Sequence, residues 1–330
     1  MTRLGTGGEL AGEVMRGRPR AVARLISLIE AAVADPGSAA DGTLREAMAE
    51  LAAGAREPYR AGVIGLTGPP GVGKSTTTSM LIRVLRGRGA RVGVLAVDPS
   101  SPFTGGALLG DRVRMQDHAT DPGVFIRSMS SRGHPGGLAW ATPQALRVLE
   151  AAGCDVILVE TVGAGQAEVA IAGVADTTVV LLAPGMGDDV QAAKAGILEI
   201  ADVLVVNKAD REGARATVRE LRTMVGLATA PWRPPIVTTV ATRDEGAGEL
   251  LAALDRHQAY LEESGEAHRR RLARARDEIE AVALARLRSR FSALHGDRLD
   301  ALAERLLAAR TDPYTAADDL LAAVAAGTEA

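Results

Sequence analysis

Residues Gly68-Pro69-Pro70-Gly71-Val72-Gly73-Lys74-Ser75 follow the pattern G-x-x-x-x-G-K-S, and their chemistry is that of an anion cradle. Glycines let a backbone wrap closely around a pyrophosphate and turn its N–H groups inward. The Lys74 ammonium can reach the outer phosphates, and the Ser75 hydroxyl can ligate Mg2+. Such a loop needs a strand before it and a helix after it, so that the positive helix N-terminus faces the same anion. Both are present in the sequence pattern: Ala61–Thr67 reads as a short buried strand and Thr76–Leu85 as a helix. Gly68, Pro69, Pro70, Gly71, Val72, Gly73, Lys74, Ser75 and Thr76 are therefore the candidate phosphate contacts.

Downstream, further chemistry sits at the ends of apolar runs. Asp98 closes RVGVLAVD, where a carboxylate can hold Mg2+ directly or through water. Asp111 follows a Gly- and Ser-rich stretch and is either a helix N-cap or a second metal-linked acid. Glu160 ends CDVILVE, a place where an unpaired charge is costly, and it opens E-T-V-G. Guanine-nucleotide hydrolases of this loop type usually carry D-x-x-G there; the acid helps hold Mg2+ and the glycine N–H, here Gly163, senses the γ-phosphate. Residues 184–196 join a glycine hinge to Asp188, Asp189, Gln191 and Lys194. Asn207-Lys208-Ala209-Asp210 is N-K-x-D after the strand DVLVVN. An Asp210 carboxylate accepts from guanine N1–H and the 2-amino group, which adenine does not offer; Asn207 braces the loop and Lys208 lies along the base. Val240, Ala241 and Thr242, after a last strand, are expected to supply the backbone contact to the base carbonyl.

These groups need a frame. Strand patterns at 61–67, 91–97, 123–128, 155–160, 176–183, 202–207 and 235–240 alternate with helical ones, which predicts a doubly wound, mostly parallel α/β sheet. Continuous apolar runs such as VILV and VLVV suit a sheet covered on both faces. Three parts follow: a helical extension over 1–60, a nucleotide domain over 61–256, and a helical, charged arm over 257–330. Val22, Leu25, Ile26 and Ile29 form the apolar face of a helix over 19–34, and a second helix is expected over 42–55. The arm stripe of Leu272, Ile279, Val282, Leu284 and Leu287 points to self-association.

Composition narrows the rest. Of 330 residues 47% are hydrophobic but only 2% aromatic, so the core must be aliphatic. A net charge of −3 gives no global pull toward nucleic acid or anionic membrane. The single cysteine, Cys154, reads as a small core residue. With no apolar run of about 18 residues and no apolar leader, a cytoplasmic location is expected.

Taken together, RLISLIE, GPPGVGKST, VDPSSPFTGGALLGDR, RSMSSRGHPGGLA, ETVGAGQAE, PGMGDDVQAAKAG and NKAD resemble the MeaB/ArgK-type GTPases, chaperones of adenosylcobalamin-dependent acyl-CoA mutases that include the methylmalonic aciduria type A protein. The resemblance implies a P-loop NTPase fold, GTP/GDP and Mg2+ as ligands, a homodimer formed by the C-terminal arm, and a mutase partner, methylmalonyl-CoA mutase first among the candidates. It implies a metal shell of Ser75, Asp98, Asp111 and Glu160, guanine selection by Asp210, and three switch segments at 99–114, 160–168 and 184–196. Ala164 stands where Ras-like proteins carry a water-orienting glutamine. The implied hydrolysis is therefore slow until the partner reorders the switches, with Lys194 or Asp188 moving into the site. The rival readings are an ATP/GTP-dependent transport-protein kinase, which N-K-A-D disfavours, and a nickel-insertion GTPase, whose His- or Cys-rich site is not evident in the sequence.

Overall fold

The computed structural model describes residues 6–34, 39–54, 61–98, 116–118, 120–130, 141–161, 170–185, 199–227, 229–294 and 296–326. Its centre is a seven-stranded sheet in the order β3-β2-β4-β1-β5-β6-β7, every pair parallel. The strands are β1 (Gly62–Thr67), β2 (Val92–Asp98), β3 (Val124–Ser130), β4 (Val156–Thr161), β5 (Thr177–Leu182), β6 (Val203–Asn207) and β7 (Ile236–Thr239). Each lies within one or two residues of its predicted span, and β3 runs further into the stretch expected to be loop.

Alternation within the apolar strands explains why they lack polar positions. Along β4, Ile157 and Val159 face one core and Leu158 the other. The first core is closed by α1 (Gly7–Met15), α2 (Pro19–Ala34), α3 (Ala39–Gly54) and α5 (Thr142–Ala151). The second is closed by α4 (Lys74–Gly87) and α7 (Ala247–Glu263), while α6 (Ala214–Leu227) covers β5 and β6. Val22, Leu25, Ile26 and Ile29 of α2 are all buried against the chain's own core. Helix α1 was not predicted. It starts with a capping box in which Thr6 and Glu9 satisfy each other's backbone N–H groups, and it buries Leu10, Ala11 and Val14.

The C-terminal helices are α8 (Glu266–Leu294), α9 (Gly296–Leu307) and α10 (Pro313–Ala326). Helix α7 runs through residue 256 and ends at Ser264, followed by Gly265 at φ +71°. Arginines of α8 fasten it to the sheet. Arg270 donates to both oxygens of Asp202 at 2.8 and 3.0 Å, and Arg274 pairs with Asp176. Both acids also cap strand N–H groups, Asp176 at Val63 and Asp202 at Thr178. Burial pushes the Asp202 carboxyl up, but His257, with Nε2 3.2 Å away, and the Arg270 hydrogen bonds outweigh it and hold the group below the usual carboxylate range.

Between α5 and α8 lies a cavity of about 480 Å³ lined in part by Arg147, Glu150, Arg271 and Arg274. Burial lifts the Glu150 carboxyl to about 7, against the pull of those arginines. A folded-state value raised above the unfolded one gives a contribution present below about pH 4.5 and lost as pH rises through about 7. We therefore expect Glu150→Gln to stabilise the protein at pH 8 by on the order of 1–3 kcal/mol, with the gain vanishing near pH 4.5. Denaturant unfolding at the two pH values checks this; a pH-independent difference would contradict it.

Candidate active site

The site lies along the carboxyl ends of β1, β4, β6 and β7, where ligands bind in such sheets. The loop after β1 is shaped by backbone that only glycine accommodates. Gly68 has φ +137°, and a Cβ there would sit 2.2 Å from the Leu181 carbonyl oxygen. Gly73 has φ +95°, and its Cβ would meet Asn207 Nδ2 at 2.4 Å. Gly73 is also the N-cap of α4 and gives that helix no side-chain cap. The helix start is therefore open to an anion. Lys74 is buried, and its Nζ donates to the carbonyls of Gly68 at 2.7 Å and Pro69 at 3.1 Å, holding the loop around the space a phosphate would take.

Glu160, at the end of β4 and 1% exposed, faces this helix start. Ser75 Oγ donates to its Oε1 at 2.6 Å. Thr78 Oγ1 lies 2.9 Å from its Oε2 and 3.1 Å from the Lys74 carbonyl oxygen, one proton serving both. Thr78 was not singled out from the sequence; its spacing three residues after Ser75 on one helix face is the signal that could have found it. Buried carboxylate and hydroxyl oxygens converging in this way suit a hard cation that prefers oxygen ligands. Among the described residues there is no group of three or more His, Cys, Asp and Glu side chains able to hold a metal. Of the four metal ligands expected from the sequence, the structure brings Ser75 and Glu160 together. Asp98 ends β2 in register with Ser130. The Asp98 side chain and the whole of Asp111, Gly163, Asp188 and Lys194 lie outside the described residues.

The base end is built around Asn207. Its Nδ2 donates to the Val72 carbonyl at 2.8 Å, and its Oδ1 accepts from Thr239 Oγ1 and the Ala241 N–H, both at 3.1 Å. One buried amide thus ties the phosphate loop, β6 and the loop after β7 together. Lys208 sits in the left-handed region at φ +57°, a strained conformation for a side-chain-bearing residue, and its Nζ donates to the Gly71 carbonyl at 2.6 Å. The side chain therefore bridges the loop after β6 and the phosphate loop. Asp210 is half-exposed beyond it, with Arg243 3.7 Å away. Of the trio expected to meet the base carbonyl, the Val240 N–H donates to Glu245 O and the Ala241 N–H to Asn207, both at 3.1 Å.

Comparison with known proteins matches this frame. The family model described as methylmalonyl-CoA mutase-associated GTPase MeaB matches residues 22–295. A protein of Pyrococcus abyssi named as a GTPase is 46% identical over 325 residues, covering 97% of each chain. The mouse (Mus musculus) mitochondrial methylmalonic aciduria type A homolog is 40% identical over 209 residues, 62% of this chain and 50% of that one. A crystal structure described as an LAO/AO transport system kinase superimposes with a TM-score of 0.70 over 98% of this chain and 99% of that one, at 23% identity, which speaks to the fold.

Asn207→Ala would leave the Val72 carbonyl, the Thr239 hydroxyl and the Ala241 N–H without this partner. We expect a stability loss of about 2 kcal/mol or more and at least roughly tenfold weaker GDP binding, since each orphaned buried group costs about 1–3 kcal/mol. Chemical denaturation and titration with fluorescent GDP measure both; unchanged affinity would show that Asn207 does not organise the site.

Proposed function

Because this chain belongs to the MeaB family of methylmalonyl-CoA mutase-associated GTPases, we propose that it docks on an adenosylcobalamin-dependent acyl-CoA mutase and uses GTP binding and hydrolysis to gate cofactor loading and protect the loaded enzyme. The observation that carries the nucleotide part is the Asn207 tie, which sets the phosphate cradle and the N-K-A-D loop at one fixed separation. Methylmalonyl-CoA mutase is the client we assign, in the cytoplasm. Among the described residues no helix is long and apolar enough to cross a membrane.

In this reading the α4 start and the loop amides cradle the phosphates, and the Lys74 ammonium turns from the Gly68 and Pro69 carbonyls toward the outer phosphate oxygens. Phosphoryl transfer to water depends mainly on such positioning and charge neutralisation. Ser75, Asp98, Asp111 and Glu160 would hold Mg2+, which supplies further neutralisation of the phosphate charge when bound. The pairing of the Ser75 hydroxyl with the buried Glu160 supports that assignment. Asp210 accepts from the guanine edge, and the Thr242 N–H is the amide we assign to the base carbonyl. Asp188 and Lys194 are the switch residues we assign to completing the site once the mutase is bound, with slow turnover before that.

The arm leaves Ile279 70%, Leu307 87% and Tyr314 84% exposed. Apolar groups of that number on neighbouring helices support a homodimer contact, since burying each would recover on the order of 1–2 kcal/mol.

The direct experiment is GTP and ATP turnover by the purified chain, alone and with methylmalonyl-CoA mutase, on a preparation whose mass in solution is measured. We expect preference for GTP, a low rate alone, a rise of roughly tenfold or more with the mutase, and the mass of two chains. A rate that no acyl-CoA mutase changes would contradict the chaperone reading, and the mass of one chain would contradict the dimer.

A further inference from the structure

The loop that follows β7 carries a cation aimed at the base-recognising carboxylate. Residues 240–246 close on themselves: Val240 and Glu245 form an antiparallel bridge, and the Arg243 N–H donates to Val240 O at 2.8 Å. Asp244, left-handed at φ +55°, is gripped by Arg83 of α4, whose Nε lies 3.2 and 3.0 Å from its two oxygens. The backbone on both sides of Arg243 is therefore pinned, one anchor being the helix that begins at the phosphate loop. From this fixed base the Arg243 guanidinium lies between two acids. Its Nε lies 2.8 Å from Glu245 Oε1, and its Nη2 donates to Glu245 Oε2 at 3.5 Å. Its Nη2 is 3.7 Å from Asp210 Oδ2, near enough for attraction but beyond hydrogen-bond reach.

This placement bears on guanine because recognition needs both Asp210 oxygens as acceptors, one for N1–H and one for the 2-amino group. A guanidinium drawn toward Oδ2 competes with the base for that oxygen and lowers the field the carboxylate presents. Glu245 holds Arg243 in the position seen without a base, short of a hydrogen bond to Asp210. We propose that Arg243 is a specificity-determining residue of the guanine site: Glu245 keeps it from closing on Asp210, its remaining pull lowers the field of that carboxylate, and the Arg243–Glu245 pair thereby sets guanine affinity and release. This rests on the reading of Asp210 as the guanine acceptor. The three side chains are 53%, 43% and 58% exposed, so the competition is screened by solvent and amounts to a several-fold effect.

The test uses the full chain with fluorescent GDP in stopped-flow and equilibrium binding, at low and high salt. Arg243→Ala removes the competitor, and GDP should bind about 2–5-fold more tightly and leave more slowly. Glu245→Gln removes the alternative partner, confines Arg243 to Asp210, and should weaken GDP by a similar factor. Both effects should shrink at about 1 M salt, where exposed charges are screened within about 3 Å. A purely structural role for this loop predicts instead that both variants weaken GDP, and that result would overturn the proposal; so would an Arg243→Ala variant that binds GDP as the wild type does. Wild-type affinity for GDP over ADP is measured alongside. Equal affinities would sink the guanine reading of Asp210 and the proposal with it, whereas clear GDP preference with two weakened variants would sink the proposal alone.

Discussion

A buried carboxylate at the end of an apolar strand is the most demanding feature of this fold. Moving an isolated ionised acid out of water costs far more than a domain's net stability, so such a group persists only with dedicated partners. Glu160 meets two of them in the hydroxyls of Ser75 and Thr78 on the first turn of α4. That requirement fixes the distance between β4 and α4, and with it the position of the phosphate loop joining β1 to α4. The parallel pairing of β1 with β4 sets the register, Leu66 lying opposite Glu160.

The base end depends on the phosphate end through contacts of a different kind. Asn207 and Lys208 both donate to carbonyls of the phosphate loop, at Val72 and Gly71. A shift of the loop would therefore carry the base site with it. Arg83 adds a second, longer strut from α4 to Asp244. Coupling of this sort lets one nucleotide be held as a single rigid object, which hydrolysis by positioning requires. The amino ends of β5 and β6, opposite the carboxyl ends that carry the site, are held by ion pairs of α8 with Asp176 and Asp202.

Strands were readable because their apolar runs have one explanation, a sheet covered on both faces, and the phosphate loop and N-K-A-D were readable because each is contiguous in sequence. Helix α1 was missed because GGELAGEV has little helical propensity; its capping box, Thr6 with Glu9, was the available sign. The break at Gly265 was hidden by helical periodicity that continues across it. Arg83 and Arg243 escaped because their roles depend on partners 161 and 33 residues away in sequence, and no local pattern encodes such pairings. The basic stretch Arg269–Arg271 likewise carries no local sign of a partner, yet Arg270 is spent on Asp202. The switch segments carry the most specific sequence motifs, but much of their length falls outside the described residues, so their assignment rests on family membership.

The central claim is that Glu160 is a metal-linked acid of a guanine-nucleotide site. Its most direct test is GDP affinity with and without Mg2+ in the wild type and in Glu160→Gln, which keeps the side-chain shape and an acceptor for the Ser75 hydroxyl. The account predicts that Mg2+ tightens GDP binding to the wild type by roughly tenfold or more, about 1.4 kcal/mol per decade, and that this gain is largely lost in the variant. A variant that folds and keeps the full Mg2+ dependence would contradict it.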